Sequence, residues 1–243
     1  MDSGKTEIPG TQRDLKIRKK ARFKKLLCWL LVDLVVAAVI ITLLLYTPGR
    51  YNPIEFESGS YKRGEVSSYL THKLGPAFHN GVQYRKPFEL LVTQNGINDI
   101  IARADWPMES EGILLYKPAA LFVPGIIVLM GTADAKGVEF IVTVELEPKI
   151  DEQGLMNLHV AKVKVGAMNL TPIAKMLAKK MYAERLADIP EGINTETIQA
   201  KIVASLLNNQ PFETVFSIDK KKVRIEKITI EEEKLRLRLV PAS

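Results

Sequence analysis

The sequence predicts an α+β protein, an N-terminal transmembrane helix followed by a curled antiparallel β-sheet packed on two or three helices. Three observations carry that expectation. One apolar run near the N-terminus is as long as a bilayer is thick, several later segments alternate apolar and polar residues, and two more repeat apolar residues at helical spacing. Four regions follow: a basic cytoplasmic tail over 1–25, the transmembrane helix over 26–46, a tether over 47–64 and an extracytoplasmic domain over 65–243.

The run Leu26–Tyr46 (LLCWLLVDLVVAAVIITLLLY) is 21 residues long and contains eight Leu, four Val and two Ile. At about 1.5 Å per residue it crosses a hydrocarbon core of roughly 30 Å. Each of those fourteen residues favours insertion by roughly 0.3–0.6 kcal/mol near the centre, and the one charge, Asp33, costs about 2.5–3.5 kcal/mol. Insertion wins. The run is longer than a signal-peptide core and no A-x-A-like cleavage site follows, so it reads as an uncleaved signal anchor. Arg13, Lys16, Arg18, Lys19, Lys20, Arg22, Lys24 and Lys25 precede it against one acid, Asp14, whereas Arg50 alone lies just beyond it before Glu55 and Glu57. This asymmetry predicts a single-pass protein of the plasma (inner) membrane, N-terminus in the cytoplasm and C-terminal domain outside.

The net charge of +6 belongs to that flank. Residues 1–50 hold 10 Lys or Arg and 4 Asp or Glu, which leaves 24 of each sign for the rest. The outer domain therefore has no basic stripe for nucleic acid, and none is expected as a partner. The basic flank sets topology and also attracts anionic lipid. The one cysteine, Cys28, lies inside the apolar run, so the outer domain must be stable without disulfides or thiolate metal sites.

In chain order, Thr47-Pro48-Gly49 stops the membrane helix and Arg50 to about Gly64 reads as tether. Ser67–Phe78 is a helical stretch interrupted at Gly75-Pro76. Phe88–Val92 is a strand, and Thr93 caps a helix with Ile97, Ile100, Ile101 and Ala104 on one face, weakened by Gly96. Ala119–Val123, Ile126–Ala133 and Val138–Glu147 are strands separated by turns at Pro124-Gly125 and Lys136-Gly137. In the last of these Val138, Phe140, Val142, Val144 and Leu146 form the dry face, and Glu139, Thr143, Glu145 and Glu147 the wet one. After a turn at Asp151–Gly154, Leu155–Val165 changes parity: Leu158 and Val160 share one face, Ala161, Val163 and Val165 the other. A β-bulge at Val160-Ala161 would reconcile them and curl the sheet. Thr171 and Pro172 start a helix to about Ala187 with Ile173, Met176, Leu177 and Met181 on one side. Asp188–Gly192 breaks it, and Thr195–Asn208 is a second helix. Three strands finish the chain: Phe212–Ile218, Lys222–Ile230 and Lys234–Val240. Strand runs followed by helices, with hairpin-length connections, argue for an antiparallel sheet.

No G-x-S-x-G, H-E-x-x-H or P-loop occurs. His72 and His79 are seven residues apart across Gly75-Pro76, a poor ligand spacing, and His159 falls on the wet side of its strand. Glu231-Glu232-Glu233 reads as a solvated turn, and no pair of carboxylates is singled out for acid–base work. A non-enzyme without metal or cofactor is expected. What remains is apolar faces. Either the helices cover the sheet completely, giving a closed core, or they cover it partly, leaving a groove; periodicity separates neither, and composition favours the core.

Three segments bear on that choice: FELLVTQNGINDIIA (Phe88–Ala102, containing Asn98), FVPGIIVLMG (Phe122–Gly131), and VKVGAMNLTP (Val163–Pro172) leading into a long helix. Together their order resembles bacterial YpmS-type extracytoplasmic domains. It is similar also to LmeA-type envelope proteins and, more distantly, to tubular lipid-binding (TULIP-like) domains. The resemblance implies a curved sheet wrapped on helices that holds acyl chains. The apolar lining would then include Phe140, Val142, Val144, Leu158, Ile173 and Leu177. The alternative expectation is an envelope scaffold or assembly factor, with Asp33 pairing with another protein inside the membrane.

Overall fold

The computed structural model describes residues 10–51, 65–110, 112–187, 198–218 and 221–242. Most of the expected tether, the break at Asp188–Gly192 and the helix start at Thr195 lie outside them. The chain divides into two compact units, Met1–Leu44 and Leu45–Ser243.

The first unit holds α1 (Gly10–Leu44), whose apolar part, Lys24–Leu44, is long enough to cross a bilayer. It ends two residues before Tyr46.

The second unit is α+β, with two antiparallel sheets. A π-helical turn, Leu70–Leu74, runs directly into α2 (Gly75–Gln83). The expected interruption at Gly75-Pro76 is absent. The Gly75 N–H bonds to the Leu70 carbonyl, five residues back, and the wider turn accommodates a proline that has no N–H to give. A Cβ on Gly75 would sit 2.7 Å from that carbonyl, so glycine is required there.

β1 (Phe88–Thr93) leads into α3 (Gln94–Ala102), and the Thr93 hydroxyl accepts from the Gly96 N–H at 3.2 Å, the cap the sequence predicts. Ile97, Ile100 and Ile101 are half-buried, but Ala104 lies beyond the helix and is exposed. Gly96 has a positive reason to be there: a Cβ would fall 2.3 Å from the Tyr69 ring, whose hydroxyl accepts from the Thr93 N–H at 2.9 Å. Ser67, 3 % exposed, hydrogen-bonds Asp99, which also pairs with Arg103 at 3.1 Å. Burial opposes ionisation of Asp99, yet the Ser67 hydroxyl and the Arg103 guanidinium hold its carboxyl below the usual range.

The larger sheet comprises β2 (Met108–Ser110), β3 (Ile113–Val123), β4 (Ile126–Ala135), β5 (Val138–Ile150), β6 (Leu155–Val165) and β7 (Met168–Asn169) in sequence order. After α4 (Thr171–Ala187) and α5 (Ile198–Asn208), β8 (Phe212–Glu213) pairs with β6. β9 (Val215–Ile218), β10 (Lys221–Glu231) and β11 (Lys234–Ala242) then join β1 in the order β1-β11-β10-β9. Thr214, fully buried between β8 and β9, marks the switch between sheets; its hydroxyl donates to the Ile225 carbonyl at 3.0 Å.

The parity conflict in β6 resolves as the sequence predicts. Glu145 pairs with Lys162 and Leu146 with Val160, so Ala161 is the extra residue and Leu158, Val160, Val163 and Val165 share one face. β3 begins six residues earlier than expected, because Lys117 and Pro118 form a second irregularity between Tyr116 and Ala119 that lets the strand pass a proline. Core clusters join the two sheets. Leu90, Val223, Ile225 and Leu239 of the smaller one pack with Met156 and Phe212, and Val92 and Ile230 pack with Phe122.

Helices also close free strand edges. Asn98, 5 % exposed, donates to the Ala120 carbonyl at 2.8 Å and accepts from its N–H at 2.7 Å, and Gln94 accepts from the Phe122 N–H at 2.8 Å. These two amides, one helical turn apart, substitute for a neighbouring strand along the upper half of β3.

Candidate ligand-binding cavity

The dry face of β5 is the floor of a cavity. Val144 pairs with Leu129 of β4 and Val163 of β6, while Leu146 pairs with Ile127 and Val160, so these side chains lie together on one face. Over them pass two helices whose positions are set by hydrogen bonds to the open edge of β6. The Ser205 hydroxyl of α5, 1 % exposed, accepts from the Leu158 N–H at 2.9 Å, and the Thr171 hydroxyl of α4 accepts from the Val163 N–H at 2.8 Å. Thr171 thus serves the sheet rather than capping its own helix; Asn169 accepts from the Thr171 N–H instead, at 3.1 Å.

Between these attachments is a cavity of about 530 Å³, within the range of small-molecule sites. Its walls are Leu129, Val144, Leu146, Val160 and Val163 from the sheet, Ala174 and Ala178 from α4, and Leu206 and Leu207 from α5. Lys175, Lys179, Asn208 and Asn209, all exposed, stand where it meets solvent. His159 joins them, its Nδ1 at 3.4 Å from Asn209 Oδ1.

The expected lining residues divide. Val144 is on the wall. Phe140 and Val142 share its face but lie opposite Ala133 and Gly131 and do not line the cavity, and Leu158 packs into the core shared with the smaller sheet. Ile173 and Leu177 require correction: they are 58 % and 52 % exposed, and the side of α4 turned to the sheet carries Ala174 and Ala178. The Thr171 anchor fixes the rotation of α4, and the two alanines follow it at i+3 and i+7. Leu206 belongs to the Ile198, Ile202, Leu206 stripe that the sequence of the second helix shows, whereas Leu207 lies outside that stripe and was not singled out.

The wet face of β5 is covered as well. Tyr51, 5 % exposed, lies against Ala119, Met130 and Ile141; its hydroxyl donates to the Lys117 carbonyl at 2.8 Å and contacts the Thr132 hydroxyl at 2.9 Å. The start of the expected tether is therefore packed on the sheet, which explains why Ile141 and Thr143 are buried on a face that alternation marks as wet. Burial pushes the Tyr51 phenol above its ordinary value. A smaller cavity of about 290 Å³ lies beneath this segment, lined in part by Tyr46, Arg50, Thr143, Glu145 and Lys164; Glu145 is paired with Lys164 at 2.8 Å.

His72 bonds locally, to Thr71 at 2.8 Å, and His79 lies 3.3 Å from Gln83. Among the described residues no group of three or more His, Cys, Asp or Glu is placed to hold a metal ion. Comparison with protein-family models, curated proteins and solved structures finds no match.

Proposed function

We propose that this is a single-pass membrane protein whose extracytoplasmic domain holds the acyl chain of a lipid, or another apolar ligand, in the cavity between β4–β6 and helices α4 and α5, without catalysing a reaction. The observation that carries the reading is that cavity: an aliphatic floor and roof, with exposed polar residues confined to its mouth. Each methylene buried contributes about 0.8 kcal/mol, so a ten-carbon segment contributes about 8 kcal/mol, enough for micromolar binding before ordering costs. The irregularities at Ala161 and at Lys117-Pro118 support a sheet curled around its ligand. The apolar helix and its basic flank support anchoring in the plasma (inner) membrane with the N-terminus cytoplasmic.

The test is photocrosslinking of the full chain in nanodiscs with a diazirine-bearing fatty acid. Adducts are expected on peptides containing Val144, Val160–Val163 and Leu206-Leu207, and to be lost in Ala178→Trp, whose indole would occupy the space. Adducts confined to α1 would contradict the reading.

A second reading, an envelope assembly factor, is favoured by Asp33, an exposed acid within the apolar stretch of α1. It predicts that Asp33→Leu abolishes a crosslinked complex in membranes. An unchanged crosslinking pattern would remove it.

A further inference from the structure

The outward side of α4 carries exposed apolar residues. Ile173, Met176 and Leu177 are 58 %, 68 % and 52 % exposed, and their i, i+3, i+4 spacing places them in one stripe. Lys175 and Lys179 are exposed beside it, and the helix as a whole carries four Lys or Arg against one Glu. Lys180, at i+4 from Met176 and i+3 from Leu177, follows on the same face, and a basic helix with a short apolar stripe is the pattern that lies in a bilayer interface.

We infer that this stripe docks onto the surface of the anionic bilayer in which α1 is anchored, giving the domain a second membrane contact. The inference rests on the anchoring reading and is independent of whether the cavity holds a ligand. Charge selects a lipid surface as the occupant: Lys175 and Lys179, both exposed, together with the net positive charge of the helix, complement anionic headgroups.

The stripe does not reach inside the domain. Ala174 and Ala178 make the cavity roof on the opposite side of α4. One helix thereby separates an apolar cavity from an apolar outer surface, and docking would bring the cavity wall to the edge of the bilayer.

The experiment uses the full chain with Cys28→Ser, which removes its one cysteine, and single replacements Met176→Cys, Val36→Cys or Val138→Cys labelled with an environment-sensitive fluorophore. The proteins are reconstituted in vesicles of phosphatidylcholine with or without phosphatidylglycerol, some containing a nitroxide-labelled lipid. At Met176 the expected result is a blue shift and nitroxide quenching in the anionic vesicles, both reduced in 1 M salt, where the Debye length is about 3 Å. Val138, 47 % exposed on β5, should report water throughout. Quenching at Val36 but not at Met176 would overturn the inference while leaving the anchor intact; quenching at neither would overturn both. A blue shift at Met176 without quenching would mean that protein covers the stripe, and would also overturn it.

Discussion

Asn98 is buried and hydrogen-bonds both backbone groups of Ala120, so its removal should be costly. In Asn98→Ala both groups of the Ala120 peptide lose their partners, and Ala120 is itself only 2 % exposed. A buried peptide group left without a hydrogen bond costs about 1–3 kcal/mol, so the pair gives about 2–6 kcal/mol, against about 5–15 kcal/mol for the total stability of a typical domain. Asn98→Asp distinguishes hydrogen bonding from packing. Its carboxylate still accepts from the Ala120 N–H but faces the Ala120 carbonyl with a negative charge, whereas the protonated acid can donate. Its pKa is therefore raised in the folded state, and the cost should grow as pH rises through the unfolded value of about 4. Urea denaturation of the full chain in non-ionic detergent micelles, followed by circular dichroism at pH 7 and pH 4, measures both effects. A cost below about 1 kcal/mol for Asn98→Ala, or an equal cost of Asn98→Asp at the two pH values, would refute the edge-closing role of α3.

Gly96→Ala should destabilise by about 1–3 kcal/mol through the Tyr69 ring, although alanine is the better helix former; combining it with Tyr69→Ala in a double-mutant cycle should show strong coupling. Tyr51→Phe leaves the Lys117 carbonyl and the Thr132 hydroxyl without the phenol, so limited trypsinolysis after Arg50 should accelerate. Because the phenol pKa is raised on folding, the contribution of Tyr51 is complete below pH about 10 and lost as pH rises through the folded value. Protection of Arg50 in the wild type should fall in that window, and Tyr51→Phe should not share the loss. Asp99 has the opposite sign. Its depressed folded pKa gives stability that is present above the unfolded value of about 4 and lost as pH falls through the folded one, so the difference between wild type and Asp99→Asn should shrink on acid titration.

The strands were legible where one side was dry. β5, β6 and β11 follow from period-2 alternation, and even the extra residue at Ala161 could be placed, because a change of parity within one strand has few remedies. What stayed hidden depended on partners distant in the chain. The first half of β3 goes unread, the strand being begun only at Ala119, until Tyr51, 66 residues before Lys117, is seen holding the Lys117 carbonyl. Gly96 reads as a weakness until Tyr69 occupies the space above it. The cavity was half legible. Val144 lies on the floor that alternation predicts, but the roof was assigned to the large apolar residues of α4. That helix is apolar on more than one side, and the hydrogen bond from Val163 to Thr171, invisible to periodicity, turns Ala174 and Ala178 inward.

Native mass spectrometry of the full chain ejected from nanodiscs tests the central claim most directly. The wild type should retain one acyl-chain ligand at collision energies that strip the surrounding lipid, and Ala178→Trp, with its circular dichroism unchanged, should emerge without it. A wild-type chain that emerges bare, or a ligand retained equally by both proteins, would contradict the account.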